Sequence, residues 1–259
     1  MSVRPKDIQH DPVFFKDLPF NWASLTDKGL CRDKNEDAYI IEPEIGLFLV
    51  SDGMGGHPAG DIASDFVSQN LSVRIESALH SLRSQSSSSI RRLLKSSIHY
   101  HNKEVWWEGR SESGHQNMGA TVVLCLLVEK RAYIANLGDS RLYRLRKNRF
   151  TQISHDHSIV NELIESGELD QNKANEHEAS GQITQYMGMD ENALPYIRSF
   201  QLRAGDRLLL CSDGLTDMLS DKTIETILNE IQSPEQAVKC LVDQANKAGG
   251  FDNITVVLI

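Results

Sequence analysis

The pattern of apolar and polar positions divides the chain into stretches with a helix period and stretches with a strand period. Between 58 and 82, apolar residues recur three and four positions apart, which predicts an amphipathic helix, and a second such helix follows a serine-rich break at 84–89. Two helices joined by a short polar turn are typical of an antiparallel pair packed on a sheet. Alternation and β-branched residues predict strands at 21–26, 38–42, 45–51, 118–128, 131–137, 141–145 and 150–153.

The second half of the chain repeats this order of elements after one polar interruption. The segment at about 156–195 is rich in Asn, Glu and Gly around one helix-like piece, and we predict that it forms a mobile flap. Ser233 and Pro234 are the cap and first residue expected at the start of a helix. Beyond the flap we expect strands at 196–202, 207–211 and 253–259 and helices at 223–231 and 235–248.

The order of the elements predicts a fold class. Strands, a helix pair, more strands, a second helix pair and a last strand indicate two mainly antiparallel sheets with the helices outside, a four-layer α/β/β/α sandwich. The strands between 118 and 153 are separated by short turns, as in an antiparallel meander. Because the chain has no internal repeat and no linker, we expect one domain at 21–259, preceded by a tail at 1–20 that carries three prolines.

Composition and charge narrow the possible functions. Hydrophobic residues make up 40% of the chain and charged residues 24%, as in globular proteins, and the formal net charge of -9 argues against binding to a nucleic-acid backbone. No run reaches the roughly 18 apolar residues of a membrane span, and the start lacks a secretion signal, so we expect a cytoplasmic protein. The four cysteines form no C-x-x-C pair, which favours buried thiols over a zinc site or disulfides.

Aspartates stand at the ends of four predicted strands. They are Asp52, Asp139, Asp213 and Asp252, and three of them have a glycine as neighbour. Carboxylates that converge on one edge of a sheet suit Mg²⁺ or Mn²⁺, which prefer oxygen ligands and keep several waters. Asp-Gly is also ordinary turn chemistry, which is a sufficient explanation at any one of these sites. Four such sites together favour a divalent-metal centre.

Two other kinds of ligand site match part of the sequence. Acidic and amide side chains occupy the first, third, fifth and twelfth positions of a possible EF-hand loop, but its sixth residue is Ala38, where the sharp turn needs glycine. A dinucleotide-binding G-x-G-x-x-G would need a glycine where Pro58 stands. The residues that match the EF-hand loop are Asp33, Asn35, Asp37 and Glu44.

With these residues in view, the chain resembles the bacterial-type members of the PPM family, the type 2C metal-dependent protein Ser/Thr phosphatases. The resemblance extends from about residue 21 to the C-terminus, its fragments come in family order, and the α/β/β/α sandwich is that family's fold. The fragments are Gly29–Asp37, Val50–His57, Met118–Thr121, Asn136–Arg141, Asp156–Ser158, Cys211–Leu215 and Asp252–Thr255.

The resemblance implies a role for each of these site residues. Asp52 would bridge two Mn²⁺ or Mg²⁺ ions, and Asp139 would help to bind a weaker third ion. Arg32 would bind the substrate phosphate, because a planar guanidinium can donate two parallel charge-assisted hydrogen bonds. The implied catalytic residues are Arg32 and Asp52, and the implied metal ligands are Glu36, Asp37, Asp52, the Gly53 carbonyl, Asp139, Asp213 and Asp252.

The implied reaction is hydrolysis of phosphoserine and phosphothreonine by direct attack of a metal-bridged hydroxide. The expected partners are phosphorylated proteins, including a bacterial Ser/Thr kinase and its targets, and the expected state is a monomer. Two other classes stay open: a phosphatase-like binding module without turnover, and an enzyme that acts on phosphorylated small molecules.

The sequence departs from the family pattern near the Asp-Gly pair. Some members carry a histidine directly after it, proposed as general acid, whereas this chain has Met54, whose thioether has no proton to donate. His57 fits a helix start and a catalyst equally well. Residues 176–186 lack the His-Pro and arginine of many relatives, which leaves the contacts of the flap open. His99 and His101 lack metal-site spacing, and we predict that they are exposed.

Overall fold

The structure is a computed structural model and describes residues 13–15, 18–54, 59–111, 118–190 and 193–259. The described helices are α1 (Gly60–His80), α2 (Ser87–Glu108), α3 (Ile159–Glu165), α4 (Asp213–Thr216), α5 (Asp221–Glu230) and α6 (Pro234–Lys247), with a 3₁₀ helix at Gln171–Glu176. The described strands are β1 (Val13–Phe15), β2 (Leu18–Phe20), β3 (Ala23–Asp27), β4 (Asp37–Glu42), β5 (Leu47–Asp52), β6 (Val122–Val128), β7 (Arg131–Leu137), β8 (Arg141–Arg146), β9 (Arg149–Gln152), β10 (Tyr196–Gln201), β11 (Arg207–Cys211) and β12 (Ile254–Leu258).

Two five-stranded antiparallel sheets form the centre of the molecule. The first has the strand order β10-β7-β6-β5-β4, and the second has the order β3-β12-β11-β8-β9. One apolar core joins the first sheet to α1 and α2, another joins the second sheet to α5 and α6, and a third lies between the sheets. The predicted α/β/β/α sandwich is therefore confirmed.

Strand β5 shows how the sequence builds these layers. Phe48 and Val50 pack between the two sheets, whereas Leu47 and Leu49 pack toward the helices, and none of the four has exposed surface. Side chains alternate between the faces of a strand, so a continuous apolar run can fill two cores at once. Burial of each such side chain stabilises the fold by about 1.5–3 kcal/mol.

Several helices begin where a serine caps them. The side chains of Ser86, Ser220 and Ser233 each accept a hydrogen bond from the backbone N–H three residues later, at the starts of α2, α5 and α6. Such a cap satisfies one of the N–H groups that the first turn leaves without a partner. The start predicted from Ser233 and Pro234 is confirmed.

The predicted meander between 118 and 153 is wrong, because the chain changes sheets within it. Strand β7 pairs with β6 and β10 in the first sheet, whereas β8 pairs with β9 and β11 in the second. The crossing occurs at Gly138, Asp139 and Ser140, where Gly138 has a left-handed φ of 112°. Hydrophobic periodicity identifies a strand but not the sheet that it joins, so it does not distinguish this connection from a turn within one sheet.

The buried position of His101 also contradicts the prediction. His101 has no exposed surface, its Nδ1 lies 2.9 Å from Glu104 Oε2, and its ring stacks on Phe66 at 5.6 Å. It lies on the buried stripe of α2, between Ile98 and Val105 at helical spacing, so its environment follows from that stripe rather than from its polarity. Burial lowers the pKa of His101.

The segment at 156–195 contains α3 and the 3₁₀ helix, and backbone hydrogen bonds attach it to the rest of the fold. Thr184 N donates to His157 O at 2.8 Å, and Met187 and Ala120 exchange a pair of backbone hydrogen bonds. Within the predicted tail at 1–20, β1 and β2 form a two-stranded antiparallel sheet. Of the described helices, none is both long and apolar enough to span a membrane.

Candidate active site

A pocket of about 540 Å³ opens at one end of the sandwich and brings together most of the predicted site residues. It also includes Met54, Thr121 and Asp217, which the sequence analysis did not assign to a site. Asp37 is absent from the lining and lies behind it, next to Asp52. The predicted residues that line the pocket are Arg32, Glu36, Asp52, Gly53, Asp139, Asp213 and Asp252.

Strand ends carry the aspartates into this pocket. Asp52 is the last residue of β5 and lies opposite Asp37, the first residue of β4, in the antiparallel register. Asp213 follows β11 as the first residue of α4, and Asp252 comes two residues before β12. Each of these strands ends where the chain leaves the apolar core, and a polar residue at that point can face the solvent-filled pocket. The distant aspartates converge, but at strand ends of both sheets and not at one edge of a single sheet as predicted, because β5 belongs to the first sheet whereas β11 and β12 belong to the second.

Gly53 allows the close packing around Asp52. A Cβ at this position would lie 2.1 Å from the backbone oxygen of Gly60 and 2.7 Å from that of Glu36. Its N–H donates to Glu36 O at 3.1 Å, which attaches the strand end to the segment that carries Glu36. The Asp-Gly pair is therefore a point of close backbone approach and not merely a turn.

Thr121 attaches the crossing turn to Asp52. Its hydroxyl accepts a hydrogen bond from Asp52 N at 3.1 Å and lies 2.6 Å from the Ser140 hydroxyl. Ser51 Oγ donates to Thr121 O at 2.7 Å. Asp139 precedes Ser140, so these contacts fix Asp52 and Asp139 relative to each other.

Asn253 holds the loop that carries Arg32 and Glu36, a function that the sequence analysis missed. Its amide donates to the carbonyls of Lys28 and Lys34, both at 2.9 Å, and its Oδ1 accepts from Glu36 N at 2.8 Å. One buried side chain thus satisfies three backbone groups of the loop. The only sequence signal was its position directly after Asp252 within a fragment of the family resemblance.

The carboxylates of the pocket repel one another. Burial, together with nearby carboxylates, raises the pKa of Asp52 and Asp139 well above the ordinary value and also raises that of Asp213. Burial and the charges of Asp213 and Asp252 raise the pKa of Asp37 to about 7, although the Ser212 hydroxyl donates to it at 2.7 Å. Removing several carboxylates from water and placing them together is unfavourable unless a cation or a proton neutralises them.

The donor set fits divalent cations. Within the described part of the chain, Oδ1 of Asp37 and Oδ1 of Asp213 are buried without a hydrogen-bond partner. Among the same residues, no three His, Cys, Asp or Glu side chains are positioned to hold one metal ion together. Mg²⁺ and Mn²⁺ keep several waters, so an open set of carboxylates is sufficient to bind them.

Arg32 occupies the pocket but contacts a predicted metal ligand. Its Nη2 donates to Asp252 Oδ2 at 2.7 Å, and its side chain is 43% exposed. Its carboxylate neighbours, led by the hydrogen-bonded Asp252, raise the pKa of Arg32 in spite of partial burial. The predicted binding of phosphate by Arg32 stays a prediction.

Two further residues concern proton transfer and charge. Met54 lines the pocket where some relatives have histidine, and His57 lies outside the described residues. Asp217 lies one helical turn after Asp213 and adds a carboxylate to the lining. The i, i+4 spacing of the two aspartates was visible in the sequence, but the helix that makes it meaningful has only four residues and was not predicted.

Comparison with models of protein families assigns most of the chain to one family. Residues 24–246 match the model described as Protein phosphatase 2C. The chain belongs to the protein phosphatase 2C family, also called PPM. This match covers most of the chain and every strand of the two five-stranded sheets except β12, so the resemblance seen in the sequence fragments is confirmed. The protein is a Ser/Thr protein phosphatase and hence a hydrolase, and its family is metal-dependent.

Curated relatives and solved structures agree with this assignment. The phosphatase is 34% identical over 237 residues to the serine/threonine phosphatase stp of Listeria welshimeri, covering 90% of this chain and 93% of the relative. It superposes on Stp1 from Staphylococcus aureus with a TM-score of 0.84 and 31% identity, covering 99% and 98% of the two chains. A structure of the PstP catalytic domain in complex with 2 manganese ions gives a TM-score of 0.71 and 31% identity over 92% of this chain and 96% of that one.

Proposed function

We propose that this phosphatase hydrolyses phosphoserine and phosphothreonine in proteins by direct attack of water activated between two Mn²⁺ or Mg²⁺ ions in the pocket. The observation that carries the proposal is the grouping of mutually repelling carboxylates with one arginine at a single pocket. The manganese ions of the PstP structure support the choice of cation.

The proposed ligand set follows the positions of the carboxylates in the pocket. Asp52 would bind both cations, and Asp139 would bind a weaker third. When bound, the two cations lower the pKa of the water they share and neutralise the phosphoryl oxygens. The remaining proposed ligands are Glu36, Asp37, the Gly53 carbonyl, Asp213 and Asp252.

Arg32 and Asp252 would change partners as the site fills. Their ion pair is partly exposed, so separating them is inexpensive in a solvated pocket. Once Asp252 is committed to a cation, the Arg32 guanidinium is free to donate two parallel hydrogen bonds to the phosphate. Met54 has no transferable proton, so the leaving alkoxide takes its proton from water. The partners we propose are phosphorylated proteins, including a bacterial Ser/Thr kinase and its targets.

The proposal is tested by the turnover of chelator-treated enzyme. We expect release of phosphate from p-nitrophenyl phosphate and from a phosphothreonine peptide when Mn²⁺ is added, and none in EDTA. Nucleotides and sugar phosphates assayed beside the peptide separate a protein phosphatase from an enzyme that acts on small molecules. Turnover that persists without metal, or a preference for a sugar phosphate over the peptide, would contradict the proposal.

A further inference from the structure

Four arginines gather on the side of the sandwich, although the chain as a whole has a net charge of -9. We call Arg144, Arg146, Arg198 and Arg203 the arginine patch. Arg144 and Arg146 share the face of β8 that carries Leu142 into the core between the sheets. Arg198 lies on β10 of the other sheet, and Arg203 lies two residues after the end of that strand. The patch therefore spans the side opening between the two sheets.

Contacts inside the patch bring these residues together. The guanidinium of Arg144 lies over the Phe200 ring at 4.9 Å from its centroid, which links the two sheets. Arg146 Nε donates to Asp206 Oδ1 at 2.6 Å, and Arg203 N donates to Asp206 Oδ2 at 2.8 Å. Asp206 is thus the carboxylate that neutralises one of the four positive charges.

Among the described residues, only Arg146 of the four arginines forms an ion pair with a carboxylate. Across the described ranges, the guanidinium groups of Arg144, Arg198 and Arg203 donate to no acceptor, and Arg144 Nε is buried without a partner. Burial and the charges of Arg146, Arg198 and Arg203 lower the pKa of Arg144, although the nearby charge of Asp206 opposes this shift. An anion from outside the chain would relieve this repulsion and satisfy the free donors.

The patch is within reach of a peptide bound at the active site. Arg144 lies five positions after Asp139, and because strands rise by about 3.3 Å per residue, the distance along the chain is at most about 16 Å. The start of β10 lies on the same side, because the Tyr196 ring is 5.5 Å from the ring of His155, close to the turn at Gly138. An extended peptide covers this distance with about five residues.

We propose that the arginine patch binds acidic side chains of the phosphoprotein substrate, about five residues away from the phosphorylated residue. The inference rests on the proposed function and adds a substrate preference to it. Three free guanidinium groups spread over two strands and a loop match several separate carboxylates better than one compact phosphate. Complementary charges at such a distance steer and hold the substrate without taking part in the reaction.

The test compares two phosphothreonine peptides that carry either glutamates or glutamines about four to seven residues from the phosphothreonine. Glutamates are placed on the N-terminal side in one pair and on the C-terminal side in another. For the unmodified enzyme we expect kcat/KM to be about fivefold higher for the glutamate peptide of one pair, through a lower KM. Replacing Arg144, Arg198 and Arg203 by glutamine should remove this difference and leave turnover of p-nitrophenyl phosphate unchanged.

A matched variant controls for the loss of three positive charges. Arg83, Arg91 and Arg92 are exposed at the α1–α2 connection and the start of α2, so their replacement by glutamine changes the net charge equally. This variant should keep the preference for glutamate. If the triple variant with Arg144→Gln does not fold, the double variant Arg198→Gln and Arg203→Gln, at two exposed positions, should still lose most of the preference.

The outcomes separate this proposal from the proposed function. Equal kcat/KM for the glutamate and glutamine peptides in both pairs, or an equal loss in the control variant, would overturn the role of the patch. A larger gain from a second phosphothreonine than from glutamates would overturn the assignment to carboxylates. An enzyme without turnover of p-nitrophenyl phosphate would contradict the proposed function. In that case, fluorescence anisotropy of labelled glutamate and glutamine peptides would test the arginine patch by binding alone.

Discussion

Individual side chains determine both the chemistry of the pocket and its electrostatic strain. Burial raises the pKa of Asp37, Asp52 and Asp213, neighbouring carboxylates raise it further, and the structure offers these residues few hydrogen-bond donors. Such a site is unfavourable for an empty protein and favourable for binding a cation. The same residues should therefore have opposite effects on activity and on the stability of the metal-free protein.

Asp52→Asn tests this opposition. The amide keeps the shape of the side chain but removes one charge from the group, so we expect turnover with Mn²⁺ to fall about a thousandfold or more. In EDTA the melting temperature should be no lower than that of the unmodified protein, because repulsion is reduced. Asp243→Asn is the control, since Asp243 pairs with Lys239 on the surface of α6 at 2.8 Å. Full activity of Asp52→Asn would contradict the role of Asp52.

The sequence identified most of the carboxylates that line the pocket because they stand in recognisable fragments at strand ends. The residues that position them were missed. Asn253 and Ser212 act through hydrogen bonds to groups that are 175 or more positions away in the sequence, as Ser212 to Asp37 illustrates. No local pattern encodes such a partner, because it depends on which strands become neighbours. The pairing of Arg32 with Asp252 was invisible for the same reason.

At the scale of elements, the sequence predicted most helices and strands but not every strand partner. The apolar run of β5 and the serine-capped helix α6 follow from local chemistry. The crossing at Gly138 depends on a tertiary contact, because the chain there passes close to Thr121. The same crossing places Asp139 in the pocket, so a wrong prediction of this turn also gives a wrong position for Asp139.

Gly138→Ala tests the importance of the crossing. Gly138 has a φ of +112°, and a Cβ would lie 2.6 Å from the Thr121 Cβ. We expect a loss of about 1–3 kcal/mol or more in the free energy of unfolding and a marked loss of activity, because Thr121 also binds Asp52 N. Denaturant unfolding and turnover are measured on the same samples.

Gly167→Ala is the matched control. Gly167 has a φ of +80°, but nothing lies within 4 Å of the added Cβ. This variant should lose about 1 kcal/mol through backbone strain and retain its activity. Equal effects of the two substitutions would show that backbone strain alone, rather than the contact with Thr121, explains the phenotype of Gly138→Ala.

At the scale of the whole molecule, three apolar cores support one end that carries a concentrated negative charge. The cores and the pocket have opposite effects on the free energy of unfolding. The apolar cores stabilise the fold at any pH, whereas the grouped carboxylates destabilise it once they ionise. The stability of the protein should therefore depend on pH and on metal together.

The metal-free protein should become less stable as the pH rises. The pKa of Asp37 is about 7 in the folded state and about 4 in the unfolded chain, so only the unfolded state ionises between these values. The free energy of unfolding in EDTA should fall over this range, and the gain on adding Mn²⁺ should be larger at about pH 8 than at about pH 5. Melting temperatures across the range, with and without Mn²⁺, measure both quantities.

Asp37→Asn isolates this contribution from other titrating groups. His101 is buried and has a lowered pKa, so its protonation destabilises the protein as the pH falls. In EDTA, the difference in stability between Asp37→Asn and the unmodified protein should grow from about pH 5 to about pH 8 in favour of the variant. A difference that is constant with pH would mean that Asp37 titrates normally.

The position of bound manganese tests the account most directly. We predict that the anomalous difference map of crystals grown with Mn²⁺ shows two strong peaks in the pocket, about 3.5–4 Å apart, with the Asp52 carboxylate between them. Asp213 and Asp252 should contact the same pair of ions, with Arg32 turned away from Asp252. A pocket without peaks under these conditions, or manganese bound only elsewhere on the protein, would contradict the account.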